Sequence, residues 1–124
     1  MKKIIIIIIF AVLVLGACGS PQDSEFAALK KAADGGQASA QFEVGKYYES
    51  IDGGFENAAA YYKKAAEQGH VIAMEYIGHL CEAAGDYDAA VYWYTQAIGK
   101  GLVRARPDVS LTLQERIDRL EITE

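Results

Sequence analysis

Apolar residues recur at helical spacing along the middle of the chain. Four of them follow the spacing i, i+4, i+5 and i+8, which places their side chains on one face of a helix. These residues are Ala40, Val44, Gly45 and Tyr48. The same pattern returns 33 residues later at Ala73, Ile77, Gly78 and Cys81. The pattern therefore predicts two equivalent helices within an internal repeat.

A second helix belongs to each unit of this repeat. Residues 30–37, KKAADGGQ, recur as residues 63–70, KKAAEQGH, and a looser copy covers residues 95–101. Because these segments alternate with turns rich in Gly and Asp, each unit is predicted to contain two antiparallel helices, A and B. The predicted helices cover residues 24–34, 38–50, 55–68, 72–84, 87–98 and 108–121.

These segments predict an all-α fold, a short α/α solenoid of antiparallel helix pairs. About two full repeats are preceded by an N-terminal half repeat and followed by a C-terminal capping helix over residues 108–121. The expected N-cap of the first helix is Asp23 or Ser24, and that of the last is Asp108 or Ser110.

Glycines mark two kinds of position in this repeat. Gly45 and Gly78 are expected where two helices cross closely, because a small residue lets the backbones approach. Gly69 is expected in the left-handed conformation just after a B helix, where helices commonly end.

The first full unit reads A-x-A-x-x-x-x-G-x-x-Y, then a Gly-rich loop, then A-x-x-Y-Y-K-K-A-A-E-x-G. It resembles the Sel-one-like repeat family, a relative of the tetratricopeptide repeat. The likeness covers about residues 26–101. In the second unit, residues 85–90 are closer to the tetratricopeptide pattern, and Cys81 replaces the tyrosine of the family. The resemblance implies a helical scaffold that binds other proteins.

The N-terminus has the pattern of a signal peptide, with Lys2 and Lys3 followed by an uncharged run over residues 4–15. As a helix this run rises only about 18 Å, short of the ~30 Å hydrocarbon core of a bilayer. Its end, LGAC at residues 15–18, resembles the lipobox of bacterial lipoproteins. This resemblance implies lipidation of Cys18. An ordinary signal peptide with an incidental cysteine is the alternative.

The predicted organisation is therefore a lipoprotein signal peptide (1–17), a lipidated cysteine with a short tether (18–23) and the repeat domain (24–124). Several acyl chains together anchor a protein firmly to a membrane. The resemblance places the chain in the bacterial cell envelope. Gly19 after the cysteine favours the outer membrane, facing the periplasm, in a Gram-negative cell.

Charge and cysteine content limit the partners. Residues 1–17 hold two of the 12 basic residues and no acidic one, so the rest keeps ten against 17 acidic residues, a formal charge of −7. Nucleic acid is therefore not expected as a partner. With Cys18 assigned to lipid, Cys81 has no disulfide partner and is expected to be buried. A reactive or intermolecular thiol is the alternative.

The A helices are expected to line a groove that binds a protein partner. The predicted partner-binding residues are Phe42, Lys46, Glu49, Glu75, His79 and Glu82. They make a mixed apolar and acidic surface that suits a basic amphipathic helix or an extended segment. The spacing of Glu75, His79 and Glu82 also fits a metal site, but one histidine between carboxylates is more typical of a solvated face.

The sequence shows no arrangement typical of a catalytic site, a metal site or a cofactor site, and no small-molecule substrate is expected. The chain is interpreted as a non-enzymatic, membrane-anchored adaptor for another protein. An immunity protein that neutralises a periplasm-delivered toxin is an alternative in the same class. The sequence also leaves open a small envelope enzyme and a purely structural spacer.

Overall fold

The computed structural model describes residues 21–102 and 107–122. The described residues form six α-helices and a short π-helical turn, Ile98–Leu102, without strands. The helices are α1 (Pro21–Asp34), α2 (Ala38–Glu49), α3 (Phe55–Glu67), α4 (Val71–Ala83), α5 (Tyr87–Ala97) and α6 (Pro107–Ile122). The all-α prediction is confirmed.

Each helix packs mainly on its neighbours in the chain, as in a helical repeat. The α2/α3 and α4/α5 pairs form the two full units, and α3 packs on α4 to join them. Helix α1 packs on α2 as the half unit, and α6 packs on α5 at the other end. Leu113 and Ile117 of α6 are buried in the main apolar core, so α6 covers the end of the stack as predicted.

The two glycines inside helices α2 and α4 occupy the predicted close crossings. A Cβ atom added to Gly45 would lie 2.6 Å from Cδ1 of Tyr62, and one added to Gly78 would lie 2.5 Å from Cε1 of Tyr94. Both tyrosine rings are fully buried. Each glycine therefore makes room for an aromatic ring of the B helix rather than for bare backbone.

Helix ends agree with the predictions within a few residues. Gly69 has a φ of 90°, so the left-handed position after α3 is confirmed. Helix α1 begins at Pro21, three residues before the predicted start. Asp23 and Ser24 thus lie inside its first turn and not at its N-cap, and part of the predicted tether is helical.

The predicted signal peptide and Cys18 lie outside the described residues. The side chains of Asp108 and Ser110, expected as N-caps of α6, also lie outside them. None of the described helices is both long and apolar enough to cross a membrane.

Candidate functional site

The six residues predicted to bind a partner differ in exposure. Lys46 is exposed and the His79 side chain is 40% exposed, whereas Glu49 and Glu82 are half-buried. Phe42 and Glu75 are only 8% and 4% exposed. The prediction that all six residues line an open groove is therefore wrong for Phe42 and Glu75.

Phe42 is buried because aromatic side chains at the junction of the two units cover it. Its ring stacks on His70, with centroids 4.8 Å apart, and meets the edge of Tyr76 at 5.2 Å. The ammonium of Lys46 lies 5.6 Å from the Phe42 ring centre. Phe42 therefore supports the junction from inside, and Lys46 is the exposed member of this group.

In the first unit, Glu49 is held by a buried tyrosine. The Tyr62 hydroxyl donates a hydrogen bond to Glu49 Oε2 over 2.5 Å. Burial of the phenol and this bond to a carboxylate raise the pKa of Tyr62 well above its usual value, so the hydroxyl keeps its proton. The carboxylate is therefore fixed in position at the last turn of α2.

The second unit repeats this arrangement with Glu82 and Tyr94. The Tyr94 hydroxyl donates to Glu82 Oε2 over 2.7 Å, and the hydroxyl oxygen of Tyr94 lies 2.8 Å from His79 Nδ1. A phenol has one proton to donate, so His79 Nδ1 acts as the donor in the second bond. Burial, and next the bond to Glu82, raise the pKa of Tyr94.

The other nitrogen of His79 faces an acidic side chain. Nε2 of His79 lies 3.7 Å from Oε1 of Glu75, one helical turn earlier. Glu75, His79 and Glu82 are thus linked by the contact of His79 with Glu75 and by Tyr94, which bonds to both His79 and Glu82. The structure gives this group polar partners within the protein instead of an open acidic stripe.

Arg116 of α6 completes the group and is absent from the sequence-based site. Its Nε and Nη2 both donate to Glu82 Oε2, over 3.0 and 2.8 Å. Burial raises the pKa of Glu82, but the hydrogen bonds from Tyr94 and Arg116 together bring it below its usual value. The bond to Glu82 raises the pKa of Arg116. Glu82 is therefore ionised and its charge is compensated.

A pocket of about 470 Å³ lies beside this group, between α4, the start of α5 and α6. We call it the α4–α6 pocket. It is lined by His79, Glu82, Ala83, Tyr87, Arg116, Arg119 and Leu120. Two predicted residues, His79 and Glu82, thus form one wall. Lys46 and Glu49 belong to the first unit and do not line it.

We use the name A-helix face for the surface of α2 and α4 that carries Lys46, Glu49, His79 and Glu82. Two features of the sequence indicate that the face is built in the same way in both units. Glu49 and Glu82 each follow a helical glycine by four residues, and Tyr62 and Tyr94 recur 32 residues apart. Nothing in the local sequence pairs Arg116 with Glu82, because the two residues are 34 positions apart.

Cys81 is partly buried against the main core, and this burial raises the pKa of its thiol. Within residues 21–102 and 107–122, no three His, Cys, Asp or Glu side chains are grouped to hold a metal ion.

Comparisons of the chain with protein-family models, with curated proteins and with solved structures give no match.

Proposed function

We propose that this chain is a bacterial lipoprotein of the Sel-one-like repeat type, anchored in the cell envelope through acyl chains on Cys18. We further propose that it is a non-catalytic adaptor that binds another protein through the A-helix face and the adjoining α4–α6 pocket. The anchor is supported by the signal-peptide pattern and by LGAC at residues 15–18.

One observation carries the binding role. In both units a buried tyrosine fixes a carboxylate of the A helix, so Glu49 and Glu82 occupy matching, rigid positions on one face. A side chain held in place before binding loses little conformational freedom when a partner docks. Such a pre-organised polar face next to a pocket suits recognition of a protein surface.

Lipid attachment is tested by replacing the cysteine. The Cys18→Ser variant should lose labelling by radioactive palmitate and leave the membrane fraction, whereas Cys81→Ser should keep both. Undiminished labelling of Cys18→Ser would contradict the anchor.

Partner binding is tested with two charge reversals of the same kind. Lys46→Glu changes the A-helix face, and Lys63→Glu changes an exposed position on α3. Each protein is crosslinked in bacterial membranes, captured, and the adducts are identified by mass spectrometry. We expect Lys46→Glu to weaken capture of a discrete partner and Lys63→Glu to leave it unchanged. A toxin as the captured protein would favour the immunity role, and an envelope protein the adaptor role.

A further inference from the structure

The α4–α6 pocket has a charge opposite to that of the whole chain. The full chain carries a formal charge of −5. The pocket lining, in contrast, contains one carboxylate, Glu82, and the guanidinium groups of Arg116 and Arg119. Glu82 and one arginine balance each other, so the other arginine leaves one positive charge over in the lining. The side chains that line the pocket are therefore basic on balance, on a protein that is acidic as a whole.

The surplus charge belongs chiefly to Arg119. Arg116 uses Nε and Nη2 for Glu82, whereas Arg119 is exposed and has no ion pair among the described residues. The two arginines are three residues apart on α6, so their side chains share one helix face. Arg119 is thus available for an anion, and Arg116 is held beside it by Glu82.

The rest of the lining is apolar or aromatic. Ala83 and Leu120 contribute aliphatic surface, and Tyr87 is 47% exposed at the start of α5. The volume of about 470 Å³ lies within the range of about 300–1,000 Å³ found for ligand pockets. A ligand that fits combines a negative group with short apolar parts.

We propose that the α4–α6 pocket binds a carboxylate side chain of the protein partner, carried on an acidic segment with apolar residues beside it. This inference rests on the proposed adaptor function. A monovalent carboxylate matches the single surplus positive charge, and Arg pairs with carboxylates through two parallel hydrogen bonds. An anionic membrane surface fits less well, because it spreads many charges over a plane, whereas the pocket offers a concave site for one negative group with apolar surface beside it.

This partner is opposite in charge to the basic segment expected from the sequence. The expectation depended on Glu75 and Glu82 as open acidic groups. Glu75 is buried beside His79, and Glu82 is bonded to Tyr94 and Arg116. Glu75 is thus buried and the charge of Glu82 is compensated within the protein, whereas Arg119 has no ion pair among the described residues.

The test uses the full-length lipidated protein in detergent and fluorescent peptides Leu-Glu-Leu-Glu-Leu, blocked at both ends. Fluorescence anisotropy should show binding that weakens as salt rises. Peptides with Gln in place of Glu should bind about tenfold more weakly, since an ionic hydrogen bond is lost. Arg119→Glu should weaken binding of the Glu peptide by a similar factor. Lys31→Glu, which reverses the charge of an exposed residue of α1, should leave the affinity unchanged.

Equal affinity of the Glu peptide for Arg119→Glu and the unaltered protein would overturn the inference. Preference for the Lys counterpart of the peptide would overturn it as well, and so would Arg119-dependent binding to phosphatidylglycerol vesicles without peptide binding. The adaptor role fails separately: it is contradicted if membrane crosslinking yields no partner. Capture of a partner together with no binding of the Glu peptide would contradict the pocket assignment alone.

Discussion

The two full units share one buried device and differ in what they place around it. In each unit a helical glycine accepts a tyrosine ring, and the tyrosine hydroxyl donates to a glutamate one turn further along the A helix. In the first unit the device ends at Glu49. In the second unit His79 and Arg116 join Glu82, and a pocket lies beside them. The comparison shows that one scaffold motif supports two different surfaces.

Substitutions at two equivalent positions account for much of the difference. Phe42 of the first unit corresponds to Glu75 of the second, and Lys46 corresponds to His79. Phe42 fills the junction between units, where the second unit covers it. Glu75 instead faces His79. The second unit has α6 as its next neighbour, and α6 brings the charge of Arg116.

The largest expected effect comes from replacing the two helical glycines, so that the buried tyrosine rings no longer have room. Gly45→Ala and Gly78→Ala should each lower the free energy of unfolding by about 1–3 kcal/mol, because the new Cβ overlaps a fully buried tyrosine ring. The helix-propensity gain of about 1 kcal/mol from replacing Gly by Ala offsets only part of the penalty for this overlap. Urea denaturation of the purified protein measures it.

Gly99→Ala is the matched control, since a Cβ there meets no atom within 4 Å. It should leave stability the same or slightly higher. If Gly45→Ala and Gly78→Ala change stability no more than Gly99→Ala, the close packing of tyrosine rings against these glycines is wrong for both units.

The next effect separates the two units. Arg116→Gln removes the ionic bond between α4 and α6 and should cost about 1 kcal/mol, a modest value because both side chains are partly exposed. The folded-state pKa of Glu82 lies below its usual value, so its contribution is present above about pH 4.5 and is lost as pH falls through the lowered pKa.

Arg116→Gln should therefore also make the loss of stability in acid less steep, as measured by urea denaturation between about pH 3 and 6. The effect of Glu49→Gln, in the first unit, on the free energy of unfolding should be the same with and without Arg116→Gln in a double-mutant cycle. Coupling between these two sites would contradict the separation of the units.

A third comparison concerns the N-cap positions of the two A helices. His70 caps α4, where its Nδ1 accepts the Ala73 N–H over 3.1 Å, whereas Gln37 at the start of α2 makes no side-chain cap. Burial lowers the pKa of His70, so the neutral ring is the capping form. His70→Ala should cost about 1 kcal/mol at pH 7.5.

Protonation of His70 is linked to folding in a defined direction. The unfolded chain binds the proton more readily, so stability is complete above about pH 6.5 and falls as pH drops from there towards the lowered pKa. His70→Asn keeps an acceptor without titrating, and it should remove this component from the pH profile. An unchanged profile between about pH 5 and 7 would assign the dependence to another group.

The smallest expected effect is a gain in the first unit. Gln37 has the extended backbone of an N-cap residue but no capping bond, so Gln37→Asp should stabilise the protein by about 0.5–1 kcal/mol. Thermal unfolding followed by circular dichroism should show a higher Tm. A lower Tm would mean that Gln37 has a role that its cap geometry does not reveal.

Most of the fold could be predicted from the sequence because similar segments recur at a fixed spacing along the chain. The glycines, the turns and the helix bounds are local features, and the pattern places all of them within a few residues. The site follows only in part. The sequence places the site residues on the correct helices, but exposure is not a local property. His70 and Tyr76 from the adjoining turn and unit cover Phe42, and Glu75 is only 4% exposed. Arg116 comes from a helix whose docking angle no sequence period specifies.

The central claim is that a protein partner binds at the A-helix face and the adjoining α4–α6 pocket. Site-specific photocrosslinking tests this claim most directly. A photoreactive residue is placed at Ala83, which lines the α4–α6 pocket, or at Ala60 of α3; both alanines are exposed. In bacterial cells that make the lipidated protein, the Ala83 probe should give one discrete protein adduct and the Ala60 probe none. Adducts from Ala60 with none from Ala83 would place the partner on the opposite face and contradict the account.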